Sequence, residues 1–351
     1  MTFEAIFVPD ELREAVSDRA WFEAMLETER ALANAEALAG LVPPHSAGPI
    51  AEACRIELFD VEAILAAGHA VANPAGPLVG ALRERVHGEA ARYVHYGATS
   101  QDIVDCAAML VAKNAAALVG AYLDGAMVEC ARIAETYRSF PAAARTLLQP
   151  AVPTTVGYRA ALWLSGLLDA QERLGGLRFP AQLGGAAGTL AAIGPNALEV
   201  LTRLAAELEL DEPLVPWHTN REPVADLGAA LEVCASACSK VALDVVLLSQ
   251  AEVGEMAEGD GGGSSTMPHK RNPAQAVIVR AAARLVHANA AVLTSGEHEL
   301  ERAAGAWQAE WPALSASLAF AGGAAATLER SLSGLELDDA SIRANMRDEL
   351  Y

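Results

Sequence analysis

The feature that most constrains the fold is a long proline-free stretch from Asp102 to Phe140, which Pro141 ends. Apolar residues recur within it at spacings of three and four, at Met109, Val111, Leu118, Tyr122 and Ile133. This period is typical of an amphipathic helix, here about 55 Å long. Because such a helix exceeds the diameter of a small domain, one subunit cannot cover all of its apolar surface. The stretch therefore predicts a bundle of long helices that continues across subunits.

Other stretches of the chain have the same helical pattern, whereas strand-like alternation is nearly absent. The further predicted helices lie in residues 17–44, where the helix stops at Gly40 before Pro43, and in residues 156–177, 225–258, 274–300 and 306–332. Short breaks rich in proline and glycine divide the helices at residues 73–77, 141–155, 178–195, 211–223 and 259–273. We therefore predict an all-α fold with an N-terminal helical domain (residues 1–100) and a central long-helix bundle domain (residues 101–351).

The charge balance restricts the partners of the protein. The chain has 25 basic and 45 acidic residues and a net charge of −20, which argues against a nucleic-acid or anionic-membrane partner. The N-terminus does not have the basic and apolar segments of a signal peptide. The long uncharged run from Trp311 to Leu328 contains Pro312 and fits a buried helix better than a membrane span. We therefore predict a cytoplasmic protein.

The cysteine pattern does not indicate disulfides or a metal site. Five cysteines, an odd number, are scattered through helical sequence, as expected of reduced thiols in a core. Cys234 and Cys238 lie one helical turn apart, but no further Cys or His stands at metal-ligand spacing. We interpret this pair as part of the core.

Two glycine-rich stretches superficially resemble phosphate-binding loops. In "GDGGGSSTMPHKRNP" (residues 259–273), His269 precedes Lys270, whereas a Walker loop needs glycine there. The stretch "QLGGAAGTLAAIG" from Gln182 does not have the G-x-G-x-x-G spacing. Nucleotide binding is therefore disfavoured, and Gly184, Gly185 and Gly188 are better explained by a tight turn or a close backbone contact.

Three breaks share hydroxyl, amide and cationic donors: "HYGATSQD" (95–102), "RTLLQPAVPTT" (145–155) and the 259–273 break. Together they predict one composite anion site assembled at helix ends. The alternative is that each break only caps its helix, since Thr99, Ser100 and Asp102 are good capping residues in any protein. Capping does not explain the Ser-Ser, Lys and Asn of the 259–273 break.

The segment "GSSTMPHKRNP" resembles the G-S-S-x-M-P-x-K-x-N signature of the fumarase/aspartase superfamily, and the other two breaks resemble the superfamily's first and second shared regions. The resemblance implies an all-helical homotetramer with active sites built from loops of three subunits. It also implies addition or elimination beside a carboxylate through an aci-carboxylate intermediate. The substrate would be a small polycarboxylate, and no metal or redox cofactor would take part.

The resemblance also assigns roles to particular residues. Ser264 would transfer the proton and Lys270 would polarise a substrate carboxylate, so these two are the catalytic candidates. A serine alkoxide is costly unless dipoles and cations surround it, which the glycine-rich amides and Lys270 can supply. The substrate-binding candidates are His95, Thr99, Ser100, Gln149, Ser265, Met267, Asn272 and Arg302. For Arg302, a helix-surface ion pair is an equally good explanation.

Leu147 distinguishes among the reactions of the superfamily. Lyases that cleave argininosuccinate or adenylosuccinate have histidine at this position, because a departing amine needs a proton donor. Leucine cannot donate one, whereas an intramolecular lactonisation does not need it. Together with "ERAAGAWQAEW" (301–311), Leu147 gives a resemblance to the 3-carboxy-cis,cis-muconate cycloisomerase family. An amine-eliminating lyase is the alternative enzyme, and a non-catalytic relative that retains the fold is an alternative of a different class.

The last expectation concerns the C-terminus. The sequence ends at "SIRANMRDELY", where many superfamily members continue into a further helical domain. We expect this third domain, and any lid that it would supply, to be absent, so that the substrate is enclosed more loosely.

Overall fold

The computed structural model describes residues 3–259, 262–263 and 270–346. The N-terminal part consists of short helices and one long one: α1 (Asp10–Ala15), α2 (Asp18–Leu38), α3 (Pro44–Ala53), α4 (Val61–Gly68) and α5 (Ala75–Arg85). Helix α2 begins where the sequence predicts, because the Ser17 side chain accepts a hydrogen bond from the Ala20 backbone N–H at 3.2 Å. Its apolar face is buried against the neighbouring helices, as predicted for residues 17–44.

The rest of the described chain is dominated by long helices. These are α6 (Ser100–Thr136), α7 (Val156–Gly175), α8 (Ala197–Glu207), α9 (Glu222–Leu248), α10 (Ala274–Leu293), α11 (Ala306–Ser333) and the short α12 (Asp339–Asn345). All the predicted long helices are present, and the all-α class is confirmed. Two predicted helices are too long. The helix predicted for residues 225–258 stops at Leu248, and Met256–Glu258 pairs as a strand; the helix predicted for residues 274–300 stops at Leu293.

The bundle helices alternate in direction. The segments that begin α9 and α11 both reach Asp105 in the second turn of α6, through Arg221 and Trp307. At the opposite end, Arg132 of α6 donates a hydrogen bond to the Leu332 carbonyl of α11 at 3.2 Å. Helices α6, α9 and α11 therefore run in one direction. Helices α7 and α10 run in the other, since each begins at the end where α6 and α9 finish.

Two ends of the bundle follow from this arrangement. We call the end where α6 begins the His95 end; it comprises residues 93–102, 183–188, 217–221 and 298–305. The opposite end we call the hairpin end; it comprises residues 141–155, 253–259, 270–273 and 335–337. A 37-residue helix, α6, separates the two ends by about 55 Å.

Three small antiparallel sheets lie at the hairpin end, and the sequence analysis did not predict them. They pair β1 (Pro141–Thr146) with β2 (Gln149–Thr155), β3 (Met256–Glu258) with β6 (Leu335–Leu337), and β4 (Gly262–Gly263) with β5 (Arg271–Asn272). Their sequences are rich in proline, alanine and glycine, so no period-two pattern marks them. The β1–β2 hairpin closes through a two-residue loop, since Thr146 pairs with Gln149.

In the described part of the chain, two helices, α6 and α10, are long and apolar enough to cross a membrane by length and composition alone. In the fold, 72% of the apolar window of α6 is buried within the chain, as expected of a core helix. The uncharged run from Trp311 to Leu328 forms the middle of α11 and is almost entirely buried, which confirms that prediction. All five cysteines are free, and Cys54 alone is only partly buried.

Candidate active site

The carboxylate of Asp102, in the first turn of α6, joins three segments of the His95 end. It accepts hydrogen bonds from the backbone N–H groups of Thr99 (2.9 Å), Gly184 (2.8 Å) and Gly185 (3.0 Å). Its Oδ1 also lies 2.6 Å from Nε2 of His218, a buried imidazole that the sequence analysis did not single out. Thr99 and Asp102 therefore cap α6 as predicted, and Asp102 also fixes the glycine-rich turn beside it.

The 184–188 turn needs its glycines for steric reasons. Gly185 and Gly188 have φ of +69° and +73°, in the left-handed region that side chains disfavour. A Cβ on Gly184 would lie 2.7 Å from Cε1 of His218, and one on Gly185 would lie 2.9 Å from the carbonyl of Gly97. The interpretation of these glycines as a tight turn with close backbone contacts is confirmed.

A buried cluster of charged side chains lies around Asp105, one helical turn after Asp102 on α6. The guanidinium of Arg221 donates to both oxygens of Asp105 at 2.8 and 3.0 Å and to both oxygens of Glu310 at 3.1 and 2.6 Å. The three side chains are almost completely inaccessible. Burial alone would lower the pKa of Arg221, but the two carboxylates outweigh it and raise that pKa. One guanidinium is therefore shared by two buried carboxyl side chains.

Histidine 298 completes the cluster on the side of Glu310. Its Nε2 lies 3.0 Å from Glu310 Oε1. Burial lowers the pKa of His298, and the positive charge of Arg221 also favours the neutral ring. Sequence reasoning missed this group because its members come from segments far apart in the chain. The run "WHTNRE" in a proline-rich break could have drawn attention to His218 and Arg221, but not to their partners.

Arg302 lies at the His95 end, in the segment that precedes α11. It donates to the side-chain oxygen of Gln101 at 3.1 Å and to the backbone carbonyl of Ala186 at 2.8 Å. Gln101 directly follows Ser100, so Arg302 lies in the same cluster as the Thr99 and Ser100 candidates. The alternative of a helix-surface ion pair is wrong, because Arg302 precedes the helix and bonds to neutral oxygens. Its positive charge is thus available to an anion.

His95 faces the N-terminal part of the chain. Its Nδ1 lies 2.6 Å from Oε1 of Glu29 on α2, whose side chain is fully buried. Burial tends to lower the pKa of His95, but the charge and hydrogen bond of Glu29, together with Asp102, outweigh it and raise that pKa. The ring therefore stays cationic to a higher pH than a free histidine.

At the hairpin end, the predicted residues lie on the surface of the chain. Gln149 is exposed at the start of β2, and Leu147 and Leu148 form the tip of the hairpin at 97% and 67% exposure. Arg145 anchors the hairpin through a pair of hydrogen bonds to the buried Glu255. The anchor holds the strands in place while the tip projects away from the chain.

The described part of the signature segment also lies at the hairpin end. Lys270 is exposed, and Asn272 pairs with Gly262 between β5 and β4. The buried carboxylate of Glu258 accepts the backbone N–H groups of Gln275 (2.9 Å) and Ala276 (2.8 Å) at the start of α10. Ser264, Ser265 and Met267 lie outside the described residues. Lys270 and Asn272 line an open groove of about 760 Å³ between α9 and β6.

The structure thus divides the candidates into two groups at opposite ends of one chain. His95, Thr99, Ser100 and Arg302 share the His95 end, and Gln149, Lys270 and Asn272 share the hairpin end. Because α6 separates the groups by about 55 Å, a composite site cannot form within one chain. The prediction of one anion site from three breaks therefore requires more than one copy of the chain.

Comparison with known proteins places this geometry in a family. A lyase family model matches residues 7–287. The 3-carboxy-cis,cis-muconate cycloisomerase of Bradyrhizobium diazoefficiens is 43% identical over 95% of this chain and 76% of its own length. The nitrosuccinate lyase of Streptomyces davaonensis is 45% identical over 95% of this chain and 74% of its own length.

A solved structure agrees with the sequence relatives. The 3-carboxy-cis,cis-muconate lactonizing enzyme from Pseudomonas putida superposes with a TM-score of 0.93 at 38% identity, over 98% of this chain and 79% of that one. The family model, the two relatives and the shared fold lead to one conclusion. This chain belongs to the fumarase/aspartase superfamily of lyases.

Proposed function

We propose that this protein is an enzyme that closes 3-carboxy-cis,cis-muconate to 4-carboxymuconolactone, a step in the breakdown of protocatechuate. The observation that carries the proposal is the 43% identity, over 95% of the chain, to a relative named for this activity. Leu147 supports it, because the hairpin tip presents leucine where an amine-eliminating enzyme would need a proton donor. An enzyme of aromatic catabolism is expected to act in the cytoplasm, in agreement with the predicted location.

The proposed reaction needs one nucleophile and one proton. A carboxylate oxygen of the substrate attacks the alkene, the new C–O bond closes the ring, and the alkene electrons move onto the carbon beside a second carboxylate. Ser264 gives a proton to that carbon and regains it from solvent. Lys270 and Asn272 stabilise the aci-carboxylate, whose extra charge is greatest as the ring closes. Each turnover therefore takes up a proton from solution.

The remaining candidates bind the other carboxylates of the substrate. Arg302 and cationic His95 supply positive charge at the start of α6, where Thr99, Ser100 and the helix N-terminus add hydrogen-bond donors. Gln149, Ser265 and Met267 complete the pocket. In a chain with a net charge of −20, this local positive charge is what would attract a trianion.

We further propose that the protein is a homotetramer in which each active site draws its loops from three subunits. The separation of the two candidate groups by the length of α6 supports this arrangement. So do the exposed apolar side chains on the outer faces of α7 and α10: Tyr158, Leu162, Leu168, Val277, Leu285 and Val292. Packing against helices that run the opposite way would cover these faces and bring a His95 end beside another copy's hairpin end.

A second candidate is the elimination of nitrite from nitrosuccinate. The 45% identical relative named for that substrate favours it. Leu147 does not argue against it, because nitrite is a weak base and leaves without a proton donor. Amine elimination remains disfavoured for the same chemical reason. A non-catalytic role would leave the Lys270 and Asn272 pattern unexplained.

One set of assays separates these functions. Purified protein is mixed with 3-carboxy-cis,cis-muconate, nitrosuccinate, argininosuccinate or adenylosuccinate. Loss of diene absorbance with proton uptake identifies the cycloisomerase, whereas nitrite release identifies the nitrosuccinate lyase. Absence of muconate turnover would contradict the main proposal.

The role of Ser264 is tested with Ser264→Ala on the substrate that turns over. We expect kcat to fall by about 10²–10⁴-fold, because the proton donor is gone. Ser265→Ala is the comparison variant: it removes the neighbouring hydroxyl, which we assign to binding, so it should change KM more than kcat. Unchanged turnover by the Ser264 variant would exclude this residue as the proton donor.

A further inference from the structure

The contact between His95 and Glu29 links the proposed site to a helix that the reaction scheme does not use. Glu29, on helix α2, lies 66 residues before His95 in the chain, yet its Oε1 is 2.6 Å from His95 Nδ1. Because an ionised carboxylate only accepts hydrogen bonds, the proton of this bond lies on Nδ1. Nε2 is then the ring nitrogen left to bind a ligand, and among the described residues it has no hydrogen-bond partner.

The contact is built into the fold rather than formed on the surface. The Glu29 side chain has 0% exposure and that of His95 has 13%, so water competes little for the bond. The backbone of His95 is in the left-handed region, with φ of 60°, where a side chain costs about 1–2 kcal/mol. Arg83 holds the preceding residue by donating to the Val94 carbonyl at 3.1 Å. Such strained residues cluster at functional sites.

The charged groups around the ring favour its cationic form. Glu29 on α2 and Asp102 on α6 attract the proton, whereas Arg83 on α5 opposes it. The two carboxylates prevail over both Arg83 and burial, so the pKa of His95 is raised. A rigid imidazolium with a free Nε2–H, five residues before Ser100, is suited to bind a carboxylate.

We propose that Glu29 is a positioning residue for catalysis: it orients His95 and keeps it as a cationic donor to a carboxylate of the substrate. This inference rests on the proposed function for the identity of that carboxylate, but the state of His95 itself is a property of the free protein. Glu29 acts through His95 and does not contact the substrate.

Glu29→Gln tests the proposal. The variant keeps a hydrogen-bond acceptor but removes the charge, so the pKa of His95 should fall. In the wild type, kcat/KM falls as pH rises through the pKa of His95. In Glu29→Gln this fall should occur at least about one pH unit lower, which gives about a tenfold loss of kcat/KM above neutral pH. At pH values below both pKa values, the two proteins should converge, and most of the loss should appear in KM.

Glu36→Gln is the matched control. Glu36 is a second fully buried carboxyl on α2, two turns from Glu29. Burial, reinforced by Glu29, raises the pKa of Glu36 to about 9, so this group is already neutral near pH 7. Replacing it with an amide should leave the pH profile of kcat/KM unchanged. A Glu29→Gln profile that is unshifted, or lowered equally at all pH values, would overturn the proposal.

A measurement without substrate separates this inference from the proposed function. The His95 ring is titrated by NMR in the wild-type protein and assigned with His95→Gln. We expect a midpoint above the unperturbed value of about 6.5, moving below it in Glu29→Gln. A midpoint at or below that value in the wild type would refute the proposal. If the midpoint is raised and no muconate turns over, it is the assigned substrate that fails, and not the role of Glu29.

Discussion

The two ends of the bundle present their candidate residues in different ways. At the His95 end, the Asp102 carboxylate has four donors and the Arg221 guanidinium binds two buried carboxylates, all from the same chain. At the hairpin end, Leu147 is 97% exposed and Lys270 is also exposed. The polar groups of the His95 end are thus held in place within one chain, whereas Leu147 and Lys270 at the hairpin end point outward. The difference is what the proposed arrangement requires, in which one copy supplies half of a site and another copy supplies the other half.

The largest expected effect comes from breaking the His95 end with Arg221→Met. The change leaves Asp105 and Glu310 buried without their shared cation, which should cost about 3–5 kcal/mol of stability. The control is Arg203→Met, which removes an exposed ion pair with Glu199 on α8 and should cost at most about 0.5 kcal/mol. Urea unfolding monitored by circular dichroism measures both. If the two variants unfold at similar urea concentrations, the cluster does not organise this end.

A smaller effect on stability, but a large one on activity, is expected from Leu147→Asp. The side chain is almost fully exposed in the single chain, so its replacement should change the free energy of unfolding by about 0.5 kcal/mol or less. If the hairpin tip enters another copy's site, a carboxylate there should repel an anionic substrate and lower kcat/KM at least about tenfold.

The matched control is Leu214→Asp, since Leu214 is 94% exposed in the loop that precedes α9. This variant should keep the kinetics of the wild type. Sedimentation of both variants shows whether assembly is intact. Normal kinetics for an assembled Leu147→Asp protein would mean that the tip does not line the site.

The smallest expected effect comes from Leu148→Gly. Leu147 and Leu148 both have positive φ, at 52° and 66°, as in the tight turns that favour glycine and asparagine. Glycine at the second position should therefore stabilise the hairpin by up to about 1 kcal/mol, which thermal unfolding can detect. A lower melting temperature would mean that the leucine is held by contacts with another copy that outweigh its backbone strain.

The helices could be predicted from sequence because their signal is local. Apolar spacing and flanking caps or prolines marked α2, α6, α7, α10 and α11 to within a few residues, except for the C-terminal end of α10. The β1–β2 hairpin could not be predicted, because its strands are short and rich in proline and alanine. They have no alternating apolar pattern, and the contact of Arg145 with Glu255 holds them in place. The end of α9 was missed for a related reason: Met256–Glu258 forms a strand only because Leu335–Leu337 lies beside it.

By itself, the sequence determined the long-helix bundle and, through the "GSSTMPHKRNP" signature and its companion segments, the superfamily. Only the tertiary structure decided which polar side chains contact one another. Arg221 lies 116 residues from Asp105 and 89 residues from Glu310, and no local pattern reports pairs at such separations. The structure also divided the candidate residues between opposite ends of the bundle. The reason is that the direction of each helix, and not the order of motifs along the chain, decides which loops meet.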